Sequence, residues 1–151
     1  MSNLKHTGQA RRVSDPAAFG RVAVLLGGRS SEREISLKTG HAVHAALIRR
    51  GIDAHRVDPA QVSLAELAQG HYDRAFNALH GPGGEDGTMQ GALEWLAIPY
   101  TGSGVLGSAL CMDKLRTKQL AEACGIATPP WLRLDSAASL DAAVKRAWDC
   151  R

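Results

Sequence analysis

Short apolar runs alternate with longer amphipathic stretches along this chain. Arg21–Leu26 is apolar and β-branched, the pattern of a strand buried on both faces, and Gly27-Gly28 ends it. Ser31 and Glu34 have the spacing of a capping box, which predicts a helix start, with Ile35, Ala42, Val43, Ala46 and Leu47 on one face. Gly51 suits the residue just past that helix. Ile52–Asp58 reads as a second strand stopped by Pro59, and a short helix through Leu64 and Leu67 ends at Gly70. Asp73–Leu79 reads as a third strand. Thr88–Ala97 reads as a helix with Met89, Leu93 and Leu96 on one face. Ile98-Pro99-Tyr100 is a brief strand, Thr101–Gly104 a turn and Val105–Leu110 a short helix. Asp113 caps a further helix to about Cys124, which Gly125 stops.

Strand and helix thus repeat in alternation. The predicted fold class is α/β, a parallel sheet with helices on both faces. Three segments follow. Residues 1–20 form a polar, loosely held extension in which Asp15-Pro16 starts at most one helical turn, and residues 21–127 form the main domain. Residues 128–151 open with the rigid joint Thr128-Pro129-Pro130. They continue with a strand over Trp131–Leu134 and a helix from Leu140 to about Trp148 capped by Ser139, which reads as the start of a second domain.

Composition narrows the function little. A formal net charge of +3 with scattered basic residues and no aromatic interleaving argues against nucleic acid. Cys111, Cys124 and Cys150 have neither disulfide-like nor metal-like spacing, which suits a reducing cytosol. The N-terminal residues lack a signal peptide's apolar run, and no segment has the length and apolarity of a membrane span.

Candidate chemistry sits in three loops. The first, Gly27–Glu32, joins a strand to a helix and is a natural anion site, but G-x-G-x-x-G spacing is absent and Glu32 would repel a pyrophosphate. Glu32 reads either as dipole compensation on a solvated first turn or as the partner of a ligand ammonium. The second, His80–Gly91, begins at the carboxyl end of the third strand, where ligands bind in open α/β sheets. His80 could hydrogen-bond a carboxylate there, while Glu85 and Asp86 shape the loop and cap the following helix. Lys114 follows Asp113 in the first turn of a helix, where its charge opposes the dipole. Either Asp113 or a bound phosphate would compensate it. His41 and His44 lack a third ligand at fitting spacing and read as solvent-exposed.

Taken together, these loops resemble the D-alanine–D-alanine ligases. His80-Gly81-Pro82-Gly83-Gly84-Glu85-Asp86-Gly87-Thr88-Met89-Gln90-Gly91 is similar to the family's His-Gly-x-x-Gly-Glu-Asp-Gly-x-x-Gln-Gly. Gly27-Gly28-Arg29-Ser30-Ser31-Glu32-Arg33-Glu34-Ile35-Ser36 and Met112-Asp113-Lys114-Leu115-Arg116-Thr117-Lys118 resemble two further family motifs, in the family's order. The resemblance implies a Rossmann-like N-terminal domain at 21–127, followed by the truncated start of an ATP-grasp domain. It implies ATP-dependent joining of two D-alanines through an acyl phosphate, for peptidoglycan synthesis in a bacterial cytoplasm. It also implies the residue roles. Glu32 and His80 are catalytic, Glu32 holding the amino group of the first D-alanine and His80 standing beside its carboxyl group. Ile35 lines the pocket for the methyl group, with Ser31 and Gly81 also at the substrate, and Lys114 contacts an ATP phosphate. ATP and Mg²⁺ are implied, the Mg²⁺ ligands lying beyond Arg151, and so is a homodimer through the N-terminal domain, with no nucleic-acid or membrane partner. The chain alone is expected to be inactive. Two alternatives are a non-catalytic small-ligand module and an ATP-grasp carboxylate–amine ligase with another acceptor. All these expectations require Glu32, His80 and Lys114 to converge on one rim of a parallel sheet.

Overall fold

The computed structural model describes residues 15–134 and Leu140. The chain divides into two compact units, Met1–Ala109 and Leu110–Arg151. The first unit is built on three parallel strands, β1 (Val22–Leu25), β2 (Ala54–Val57) and β3 (Arg74–Asn77), in the order β2-β1-β3. Val22 pairs with Ala54 on one side and with Arg74 on the other, and the register runs on to Leu25 opposite Val57 and Asn77. Every residue of β1 is buried, as its unbroken apolar run requires of a central parallel strand.

Alternation along β1 feeds two cores. Val22, Val24 and Leu26 pack with Ile52 and Ala54 under α1 (Arg33–Arg49), through Leu37, Val43 and Leu47. Ala23 and Leu25 pack on the other face with Leu67 of α2 (Leu64–Gln69) and Met89 and Leu93 of α3 (Thr88–Trp95). Helices therefore cover both faces. The connection from β1 goes outward to β2, and the next returns across β1 to β3, so a crevice opens at the carboxyl ends of β1 and β3.

Local chemistry explains the helix ends. Gly51, at φ +75°, closes α1 with a Schellman pair, Gly51 N–H to Ile48 C=O at 2.9 Å and Ile52 N–H to Leu47 C=O at 3.1 Å. Ser63 and Glu66 form a reciprocal capping box on α2. Asp15 caps a 3₁₀ turn over Pro16–Phe19, and Phe19 packs on the α1-side core.

Several expectations are corrected. Ser31 and Glu34 form no capping box; the N-cap of α1 is Glu32, with no side-chain bond of its own. Ile35 and Ala42 are exposed. The buried face of α1 instead carries Ser36 and Gly40, with Leu37, Val43 and Leu47 against the core. Ile98–Tyr100 contributes one bridge, Ala75 to Tyr100, rather than a strand. Trp131–Leu134 is not a strand. His44 is half-buried, with Nε2 3.1 Å from Ala54 C=O. The expected extension over residues 1–14 and, apart from Leu140, the last helix with its Ser139 cap lie outside the described residues.

After α4 (Val105–Met112), the second unit holds α5 (Lys114–Ala123), capped by Asp113, whose carboxylate accepts from Arg116 N–H at 3.0 Å and pairs with the Arg116 guanidinium. Gly125, at φ +68°, ends it with a second Schellman pair. The segment that follows is held along α5 by Lys118, which donates to Thr128 Oγ1 at 2.6 Å, and by Trp131, which donates to Glu122 at 2.6 Å.

Gly40 sets how closely α1 approaches β1, since a Cβ there would stand 2.3 Å from Leu26 Cβ. Alanine gains about 1 kcal/mol in helix propensity but overpacks by about 1–3 kcal/mol. The clash is with an atom next to the backbone, so overpacking wins. Gly40→Ala lowers the urea midpoint with the m-value unchanged; a raised midpoint would show that the helix does not sit this close.

Candidate functional site

The loop from β1 to α1 is held from three sides. Gly27, at φ +79°, leaves no room for a Cβ, which would lie 2.8 Å from both Arg33 Nη1 and the Asp58 carboxylate. Asp58 stands just past β2. Its Oδ1 accepts from Gly28 N–H at 3.0 Å, from Ala60 N–H at 3.0 Å and from Arg33 Nη1 at 3.1 Å. Oδ2 accepts from Arg33 Nη2 at 2.6 Å, and Arg33 Nη1 also donates to Gly28 C=O at 2.7 Å. Both backbone groups of Gly28 are thus bound by one forked ion pair. Burial alone would raise the Asp58 carboxyl, but the bonds from Arg33, Gly28 and Ala60 hold it below its ordinary value. Hydrogen bonding to Asp58 raises the Arg33 guanidinium in turn.

Ser36, fully buried on α1, links this loop to the end of β3. Its Oγ accepts from Gly27 N–H at 2.8 Å and donates to Ala78 C=O at 2.8 Å. A second hydroxyl, Ser30 Oγ, donates to His80 C=O at 2.7 Å and accepts from Glu32 N–H at 3.1 Å.

The loop after β3 is built by its own polar groups. Asp86 accepts from Gly83 N–H at 2.9 Å and from Thr88 N–H at 3.0 Å, so it shapes the loop; the expected cap by Glu85 or Asp86 is corrected, since the N-cap of α3 is Gly87, at φ +92°, with no side-chain cap bond. The Gly83 amide is the main cause that lowers the Asp86 carboxyl. Gly84 C=O receives two side-chain amides, Asn77 Nδ2 at 2.9 Å and Gln90 Nε2 at 2.8 Å.

Glu32 reaches across to the backbone that follows His80. Gly81 takes φ +70°, and a Cβ on it would stand 3.0 Å from Glu32 Oε1 and 3.3 Å from Ser30 Oγ. The Glu32 carboxylate therefore lies against the backbone next to His80. The imidazole places Nε2 3.3 Å from Thr39 Oγ1 on α1, and Nδ1 3.8 Å from Glu85 Oε1. Ile35 is 56% exposed, and Ser31 is exposed beside Glu32. A cavity of about 320 Å³ opens between the loops, lined by Gly28, Ser30, Leu79, His80, Pro82 and Met89 among others, with neither Glu32 nor Ile35 in its wall. In the second unit, Lys114 is the first residue of α5. Asp113 is engaged by Arg116, and Lys114 lines a cavity of about 220 Å³ with Lys118, Trp131 and Arg133. Among the described residues no group of three His, Cys, Asp or Glu side chains could hold a metal ion, and no helix is long and apolar enough to cross a membrane.

Sequence reasoning did not single out Arg33, Asp58, Thr39 or Asn77. The pairings that join separate elements, Arg33 with Asp58 and Thr39 with His80, lie 25 and 41 residues apart along the chain, and no local pattern marks them. Pro59 after a strand was the one cue to the Asp58 turn.

Residues 53–103 match a family model described as the D-ala D-ala ligase N-terminus. The chain is 61% identical over 118 residues to the D-alanine–D-alanine ligase of Nitrosomonas eutropha, covering 78% of this chain and 39% of that one. It is 55% identical over 131 residues to that of Methylococcus capsulatus, covering 87% of this chain and 42% of that one. Among solved structures, the D-alanine–D-alanine ligase of Bacillus anthracis complexed with ATP superposes with a TM-score of 0.67 at 37% identity, covering 81% of this chain and 44% of that one. The chain spans about two fifths of the length of the curated relatives it matches.

Asp58 gives the site a defined acid limit. Its folded carboxyl titrates below the ordinary carboxylate value, so its stabilisation is present above the unfolded pKa and is lost as pH falls through the folded one. Asp58→Asn keeps one carbonyl oxygen but drops the charge, at a cost of about 1–3 kcal/mol at neutral pH. Urea titrations should show the gap between the two chains closing in acid. A gap independent of pH would show that the ion pair contributes nothing through its charge.

Proposed function

We propose that this chain, which belongs to the D-alanine–D-alanine ligase family and corresponds to its N-terminal part, supplies the first-substrate side of ATP-dependent D-alanyl-D-alanine formation. One observation carries the reading: the Glu32 carboxylate lies against Gly81, directly beside His80, at the carboxyl edge of the sheet. A small zwitterion fits this pairing. Glu32 takes the ammonium, exposed Ile35 on the same helix receives the methyl group, and His80 hydrogen-bonds the carboxylate. Ser31 and Gly81 complete the rim, Gly81 by leaving space that any side chain would fill.

In the reaction the held carboxylate attacks the γ-phosphorus of ATP and ADP leaves. The amine of a second D-alanine then displaces phosphate from the acyl carbon and loses a proton. The role of this chain's residues is to orient the first substrate. A cation suits a triphosphate at Lys114, whose neighbouring carboxylate Asp113 is already engaged by Arg116, and Lys114 and Lys118 share one cavity wall. Mg²⁺ finds no ligand set of three His, Cys, Asp or Glu side chains among the described residues. The product belongs to peptidoglycan synthesis in the cytoplasm.

The 151-residue chain by itself should release phosphate from ATP and D-alanine no faster than a blank. Continued past Pro130 with the corresponding part of the Nitrosomonas eutropha relative, it should turn over. In that chimera Glu32→Gln, which removes a charge-assisted bond of about 1.5–3 kcal/mol, should raise the KM for the first D-alanine about ten- to a hundredfold. An unchanged KM, or turnover by the short chain, refutes the assignment.

The same reading includes a homodimer through the first unit. Trp95 on α3 is 91% exposed and Leu64 56% exposed, beside Ala65, Ala68 and Ala92 on two adjacent helices. An apolar face of this kind suits a self-association surface. Sedimentation equilibrium should find a dimer, and Trp95→Lys should weaken it about thirtyfold, as loss of a 2 kcal/mol hot spot does. A chain that is monomeric at high concentration sinks the dimer.

A further inference from the structure

We propose that Thr39 is a positioning residue for His80, fixing the imidazole from α1 so that it stands correctly towards substrate bound at Glu32. This rests on the reading of Glu32 and His80 above. Thr39 lies seven residues past Glu32, about 20° away around the helix axis. The two side chains therefore share a face of α1, with Ile35 between them along the helix. The Thr39 hydroxyl lies 3.3 Å from His80 Nε2. The other ring nitrogen, Nδ1, lies 3.8 Å from Glu85, outside hydrogen-bond range. Thr39 is thus the side chain within hydrogen-bond reach of the ring among the described contacts, and it joins the ring to the helix that also bears Glu32.

The consequence is geometric. His80 sits in a loop whose backbone is fixed through Ser30 and Ser36, but the backbone does not fix rotation of the imidazole about its side-chain bonds. A hydroxyl on α1 sets that angle relative to the carboxylate seven residues earlier. One rigid helix then defines the distance between the ammonium site and the imidazole. Serine would preserve the function; valine, of the same shape, would not.

The test is a double-mutant cycle in the chimera, with Thr39→Val, Thr39→Ser and His80→Gln. Thr39→Val should lower kcat/KM for D-alanine about fivefold, the worth of one neutral hydrogen bond, and Thr39→Ser should restore most of it. In the His80→Gln background the valine should cost nothing further, because Thr39 acts through the ring. A fivefold loss that persists in that background overturns the proposal for Thr39 and leaves the role of His80 standing. If His80→Gln alone leaves kcat/KM unchanged, the reading of His80 fails and the proposal fails with it. Equal loss in the serine and valine variants also overturns it, since packing rather than the hydroxyl would then be responsible.

Discussion

The Ser36 hydroxyl spans the place where the sheet reverses its order, taking Gly27 N–H on one side and giving its proton to Ala78 C=O on the other. Both groups belong to backbone that has just left a strand and has no further ladder partner. Unpaired and buried, each would cost about 1–3 kcal/mol. One fully buried side chain satisfies both, and in doing so it fixes the separation of the two loops that carry Glu32 and His80. A longer side chain would push those loops apart; an apolar one would leave two orphaned backbone groups.

The rest of the crevice follows from that spacing. With the first loop anchored at Gly27, the Arg33–Asp58 fork holds Gly28 by both its N–H and its C=O. With the second loop anchored at Ala78, Asn77 and Gln90 converge on Gly84 C=O. Ser30 then bridges the loops two residues further along the second loop, at His80 C=O. Gly28 and Gly81 fit this scheme, since a Cβ on either would meet the facing loop, at Leu79 Cδ2 (3.2 Å) and Glu32 Oε1 (3.0 Å). At Gly81 the space a Cβ would need is bounded by Glu32 and Ser30, so the residue's bareness lets the carboxylate lie against the backbone next to His80.

Much of this was legible in the sequence. The three strands follow from apolar runs, the helix stops from Gly51, Gly70 and Gly125, and the α3 core from Met89 and Leu93. The face of α1 was misread for a physical reason. Helical patterning assumes that buried positions are large and apolar. Here the closest approach to the sheet is made by Ser36 and Gly40, which hydrophobicity cannot flag, while Ile35 lies outside the core. The capping box failed for a related reason. The serine that organises the start of α1 is Ser30, and its hydroxyl is bound to a carbonyl fifty residues away. The contacts that define the site pair residues far apart in sequence, which a local spacing rule does not see.

The α1 helix thus has two faces with different duties. Its inner side carries Ser36 and Gly40, buried and tied to the sheet, and a change there is felt as stability. Its outer side carries Glu32, Ile35 and Thr39, exposed or half-exposed, and these contribute little to the core. A helix that is rigid because its inner face is close-packed can hold chemistry on its outer face without that chemistry contributing to the fold. The exposed isoleucine is then no packing defect. Under the proposed reading, that open isoleucine on the same helix as Glu32 is where the methyl group of a small zwitterion would lie.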